Sequence, residues 1–139
     1  MYNQPLWIAL AVESNQRSEI ALAIRHDAKT ASFVYDYAAI ENLEKFLSDE
    51  GFEGDIYAFN FPAMIDVLKK YGIDQSILDK LEAIIKDPIV KALATDKSWL
   101  GTNFELYLEN VNFQYIEPLD LSEKAWNTKL IYDCLDQTN

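Results

Sequence analysis

The chain has 139 residues, half of them hydrophobic, with 23 acidic against 12 basic side chains and a formal net charge of -11. That length suits one domain burying roughly two thirds of the surface its unfolded form exposes, and the abundance of Trp, Tyr and Phe excludes a disordered chain. The acidity argues against unassisted binding to a nucleic-acid backbone, where attraction to phosphate dominates affinity, and favours positively charged partners.

The single cysteine, Cys134, has no internal partner and falls in an apolar helical register, so it reads as a buried free thiol of a reducing compartment. The segment MYNQPLWIALAVES has no basic region and reaches Glu13 too early for a secretory signal, and no apolar run has membrane-spanning length. A cytoplasmic protein that engages no membrane is the expectation.

Leu6 to Glu13 is apolar on both alternating sets, which predicts a central strand covered on both faces. Glu19 to Arg25 puts Ile20, Leu22 and Ile24 on one side, and the HDAK turn leads into Thr30 to Asp36, where Phe33 and Tyr35 alternate with Ser32 and Val34. These three form an antiparallel meander. The period then changes to 3.6, with Ile40, Leu43, Phe46 and Leu47 on one helical stripe and Gly51 placed to end it. With a helix intervening, the fourth strand, Asp55 to Phe59, returns parallel through a right-handed crossover.

The unit Gly54 to Gly72 is a strand running into a helix, with Asn60 as the expected cap and Pro62 in the first turn. Asp74 caps a third helix carrying Ile77, Leu78, Leu81, Ile84 and Ile85; Asp87-Pro88 starts a short one through Leu93, and Thr95 to Gly101 is a loop bearing Trp99. Phe104, Leu106 and Leu108 then alternate with Glu105, Tyr107 and Glu109 before the apolar set shifts to Val111, Phe113 and Tyr115, which predicts a bulged strand or a hairpin turning at Glu109-Asn110. Ser122 is the expected cap of a last helix with Trp126, Leu130, Ile131, Cys134 and Leu135 on one face. The predicted fold is one α/β (α+β) domain over 1–139, a mixed sheet with flanking helices in the order βββαβααα(β)βα.

No glycine-rich phosphate cradle, zinc set or nucleophile motif occurs. His26, the only histidine, falls in a turn and reads as a solvated loop residue. Carboxylates remain, and a two-metal hydrolase needs several of them converging on cations about 4 Å apart. Glu13, at the end of the central strand, and Asp66, near the strand-helix junction, are the candidates, with Asp133 a weaker third. As plain structure, Glu13 is a solvated strand end and Asp66 an exposed ion-pairing neighbour of Lys69 and Lys70.

Three segments resemble motif regions of the DnaQ-like 3′-5′ exonucleases. ALAVES resembles that family's first motif, an Asp-x-Glu pattern, with Glu13 at the Glu and Ala11 where the first Asp belongs. NFPAMI is similar to the second, with Asn60 and Pro62 retained and Ile65 in the place of a metal-binding Asp; EKAWNTKLIYDCL resembles the third, with Glu123 at its His and Thr128 at its Asp. The resemblance implies a ribonuclease H-like fold. It also implies lost catalysis, because the family's mechanism uses carboxylates to hold two metals and a His to activate water, and one ligand of that set is kept.

The expected function is that of a non-catalytic acidic binding protein, with no cofactor, no metal and no direct nucleic-acid contact. It inhibits or neutralises a basic partner, such as a toxin nuclease or a nucleic-acid-binding protein. Asp49, Glu50, Glu53 and Asp55, and again Glu117, Asp120 and Glu123, are the expected partner-binding residues, on loops able to steer association with a basic surface. The alternative is a metal-dependent nuclease of the DnaQ-like class with a rearranged carboxylate set, Glu13 and Asp66. A third reading is a small-molecule or regulatory domain with a pocket lined by Trp7, Tyr57, Trp99 or Tyr107, residue types that at such positions more often form core.

Overall fold

The computed structural model describes residues 5–13, 19–48, 52–111, 113–114 and 119–135. The chain opens with the antiparallel strands β1 (Trp7–Glu13), β2 (Glu19–Arg25) and β3 (Ala31–Tyr35). β1 and β2 pair over their whole length, from Trp7 opposite Arg25 to Glu13 opposite Glu19, and β3 continues the meander with Phe33 opposite Ala23. Helix α1 (Asp36–Ser48) returns the chain to β4 (Asp55–Ala58), which lies parallel to β1 with Asp55 opposite Trp7. The order β3-β2-β1-β4 puts β1 in the interior, as its two apolar sets require. One further parallel rung lies beyond β4: Lys86 N–H donates to the Ile56 carbonyl at 2.8 Å and Ala58 N–H to the Lys86 carbonyl at 3.1 Å.

Side chains alternate across the strands, so the sheet has two faces. Ile8, Leu10, Ile20, Leu22, Ile24 and Ile56 fill one, and the stripe of α1 with Ile77, Leu78 and Leu81 of α3 (Gln75–Ile84) completes the main core. Each such side chain contributes about 1.5–3 kcal/mol on full burial. The other face is paved by Ala9, Ala11, Ala21 and Ala23, all at most 5 % exposed. That low floor admits the last helix, α6 (Leu121–Cys134), close over β1, β2 and β4, where it buries Ala125, Asn127, Thr128 and Ile131.

β4 runs into a 3₁₀ turn, Phe61–Met64, and then α2 (Ile65–Lys70), with Pro62 in the first turn as expected. Asn60 is not the cap. Its backbone is left-handed, at φ 58° and ψ 57°, and its side chain makes no capping hydrogen bond. Asp87 takes that role from a distance: Asn60 N–H and Phe61 N–H donate to its two carboxylate oxygens at 3.0 and 2.8 Å. Ile89 N–H donates to the same group at 3.0 Å, so Asp87 also caps α4 (Pro88–Ala94). A carboxylate 5 % exposed is thus held by backbone donors at two helix starts. Asp74 caps α3 as predicted, accepting from Ser76 N–H at 2.8 Å.

The strand predicted at Phe104 is a helix, α5 (Phe104–Asn110). FELYL satisfies a two-residue alternation and a 3.6-residue period alike, and the cap decides: Asn103 Oδ1 accepts from Glu105 N–H at 3.0 Å and Leu106 N–H at 3.4 Å. Tyr107, which alternation puts outside, is fully buried against Phe59, and its hydroxyl donates to the Gly101 carbonyl at 2.8 Å. The strand or hairpin after the fourth strand is therefore replaced by α5 among the described residues, which hold six α-helices and two 3₁₀ turns, the second, Ser98–Leu100, within the expected loop; Tyr115, and the helix end expected at Gly51, lie outside them.

Asp120, not Ser122, caps α6. It accepts from Glu123 N–H at 2.8 Å while Glu123 Oε1 accepts from Asp120 N–H at 3.4 Å, a reciprocal capping box. Of the stripe predicted on this helix, Ile131 and Leu135 are buried, Leu130 is exposed and Cys134 is half-buried rather than in the core. Among the described residues no helix is long and apolar enough to cross a membrane.

Candidate functional site

The carboxyl ends of the parallel strands are where α/β sheets place ligands. Here β1 and β4 open onto a cavity of about 200 Å³ whose walls include Ala11 and Val12 of β1, the left-handed Asn60, and Lys124 and Thr128 of α6. Thr128 is buried and its hydroxyl donates to the Lys124 carbonyl at 2.7 Å, one turn back. The walls supply an ammonium, an amide and hydroxyls, but no carboxylate.

Glu13 stands at the rim of this region, its Oε2 3.5 Å from Lys124 Nζ. Asp66 is an exposed residue in the first turn of α2 and does not line the cavity. Among the described residues no group of three or more His, Cys, Asp or Glu side chains is arranged to hold a metal ion. His26 is exposed, with Nε2 2.7 Å from Ser32 Oγ.

The two predicted acidic clusters do not merge. Glu53 is exposed and Asp55 is paired with Lys86 at 3.1 Å, at the amino end of β1 and β4. Asp120 and Glu123 are committed to the capping box at the start of α6, beside the carboxyl end of β1. The 14 residues of α6 run between these places, about 20 Å. The Ser122 hydroxyl and Glu123 N–H hold the Asp120 carboxyl below its usual range. Asp49, Glu50 and Glu117 lie outside the described residues.

Sequence reasoning missed a row of cations laid over aromatic rings along α6. Arg25 lies 5.6 Å from the Trp126 ring, Lys129 5.6 Å from Trp7, Lys86 5.8 Å from Tyr57 and Lys91 4.0 Å from Tyr132. The rings also meet one another, Trp7 with Trp126 at 5.0 Å and Tyr57 with Tyr132 at 5.4 Å. Lysines finish on carbonyls as well: Lys91 on Tyr132 at 2.7 Å, Lys97 on Leu135 at 3.2 Å and Lys80 on Leu47 at 3.1 Å, the last two at helix ends where a cation suits the dipole. Lys129 also pairs with Asp133. These partners come from segments far apart in the chain, so no local spacing announces them.

Burial and the nearby Asp133 and Asp55 charges push the Tyr57 hydroxyl far up, and burial beside Asp87 pushes Tyr107 up to about 12. The four aromatics of the small-molecule reading do not converge: Tyr57 and Tyr107 belong to separate buried clusters, Trp7 is half-buried and Trp99 is 65 % exposed. Comparison with family models, with curated proteins and with solved structures finds no match.

Proposed function

We propose that this chain is a non-catalytic acidic binding protein that inhibits or neutralises a basic partner, such as a toxin nuclease or a nucleic-acid-binding protein. The observation that carries this reading is the distribution of charge. Seven of the described cations engage the chain itself, on rings (Arg25, Lys86, Lys91, Lys129), carbonyls (Lys80, Lys91, Lys97) and half-exposed carboxylates (Lys86, Lys124, Lys129), while Lys29, Lys45, Lys69 and Lys70 lie on the surface. Of the described carboxylates only that of Asp87 is buried. With the carboxylates at the surface and most described cations engaged, the excess negative charge of a chain at -11 favours association with a basic surface. The acidic surface as a whole supports this role better than the two predicted loop clusters, whose described members are partly tied up in an ion pair and a cap.

An antiparallel meander followed by a parallel fourth strand supports a ribonuclease H-like reading of the sheet. The resemblance to DnaQ-like exonucleases gains support from Ala11, Asn60 and Thr128, one residue from each resembling segment, which share the walls of one cavity. The nuclease alternative needs metal ligands there. Ala11, Ile65 and Thr128 stand at three ligand positions of the resemblance, and Glu13 is paired with Lys124. The one carboxylate that the family's pattern retains is thus faced by a lysine of α6.

Affinity purification from the native host on the immobilised chain tests the proposal. The expected result is a strongly basic protein held at low salt and released as salt rises. Recovery of no partner at low salt, or of a partner indifferent to salt, overturns it.

A further inference from the structure

The sheet ends on β3, whose outer side has no neighbour among the described residues. Edge strands normally carry a charge, a proline or a bulge that blocks pairing with another chain. Ala31–Tyr35, ASFVY, has neither charge nor proline, and its unbroken register with β2 contains no bulge. Phe33 and Tyr35 are 39 % and 50 % exposed on the face that α6 occupies over the other strands. Between β3 and α6 lies an open groove of about 650 Å³, walled mainly by Phe33, Phe113, Trp126 and Leu130.

The charges flanking this strand reverse along it. At its start Arg25 and Lys29, with Asp27 between them, leave a net positive charge, and at its end stand Glu19 and Asp36, whose Oδ1 also accepts from Ile20 N–H and the Tyr71 hydroxyl. An edge that is neutral in the middle and opposite in sign at its ends does not select a basic partner; it complements itself when reversed.

We propose that β3 is a self-association surface on which two copies of this chain pair antiparallel about a two-fold axis at Phe33, continuing one sheet through both. Residues opposed in an antiparallel pair share a face. Centred at Phe33, the pairing sets the small Ala31 against the large Tyr35, and Ser32 against Val34. The basic end of each strand meets the acidic end of the other, as an isologous contact requires. Two chains of charge -11 repel at long range, and salt screens that repulsion over about 8 Å at physiological ionic strength. Salt also screens the attraction between the strand ends, but that involves a few charges against a net -11 on each chain, so self-pairing strengthens as salt rises from low to physiological, the opposite of binding to a basic partner.

Sedimentation velocity of the full chain over a wide concentration series, at low and at physiological salt, is the test. The expected particle mass rises from the 16.0 kDa of one chain towards twice that, at lower concentration in the higher salt. Phe33→Lys, which sets two ammonium groups at the axis, weakens pairing at least tenfold. Tyr35→Lys, at a half-exposed side chain, does the same and keeps the test sound if Phe33→Lys disturbs the contact with Trp126. A single-chain mass at every concentration and salt overturns the proposal, as does a dimer that both folded variants leave intact.

Discussion

The two faces of the sheet are built on different principles. On one, Ile8, Leu10, Ile20, Leu22 and Ile24 meet α1 and α3 in a continuous aliphatic core. On the other, four alanines lower the floor so that α6 can approach closely, and that helix is held by a capping box, by rings and by cations as well as by the buried Ala125, Ile131 and Leu135. Burial of bulk fixes the first face and close approach fixes the second. Arg25, Lys86, Lys91, Lys124 and Lys129 gather on this second face.

Adjacent residues of β2 expose this difference. Leu22→Ala empties a fully buried site in the aliphatic core and is expected to cost about 3–4 kcal/mol in urea denaturation. Asp87→Ala removes the acceptor for Asn60, Phe61 and Ile89 N–H groups and leaves one buried and two part-buried donors unpaired, with an expected cost of about 3 kcal/mol by the same measurement. Ala23→Leu, one residue along from Leu22 and facing the other way, adds bulk under α6 and is expected to cost about 2 kcal/mol. If Ala23→Leu proves neutral, close approach is not what seats the helix.

Smaller still, Asp120→Ala removes the cap of α6 at about 1 kcal/mol. The Asp120 carboxyl is held below its ordinary value of 3.8, so its contribution is present above that value and is lost as pH falls through the lower folded-state value. Melting curves of Asp120→Ala and the parent should therefore differ at neutral pH and draw together in strong acid. A difference that persists at the acid end would show that the carboxylate's charge is not what caps the helix.

The aliphatic face was legible because strand alternation and helical period were long and unambiguous there, as at Ile20 to Ile24 and Ile77 to Leu81. The α6 face was not. It buries Asn127 and Thr128, exposes Leu130, and takes its cap from Asp120 two residues before the serine that looked right. At Phe104 to Leu108 five residues fit two periods, and the deciding group, Asn103, lies outside the run. Asp87 was visible as a local cap, yet its hold on Asn60 and Phe61 spans more than 25 residues and has no local signature. Glu13 was found from strand position, whereas its pairing with Lys124 depends on a helix that arrives from the far end of the chain.

At the carboxyl end of β1, where this architecture would place chemistry, Glu13 is paired with Lys124, and on the proposed reading this end is non-catalytic. Melting of the chain with and without Mn²⁺, alongside cleavage of a labelled oligonucleotide, tests it most directly. No metal-dependent rise in melting temperature and no cleavage are expected. A melting shift accompanied by cleavage that disappears in Glu13→Gln would contradict it.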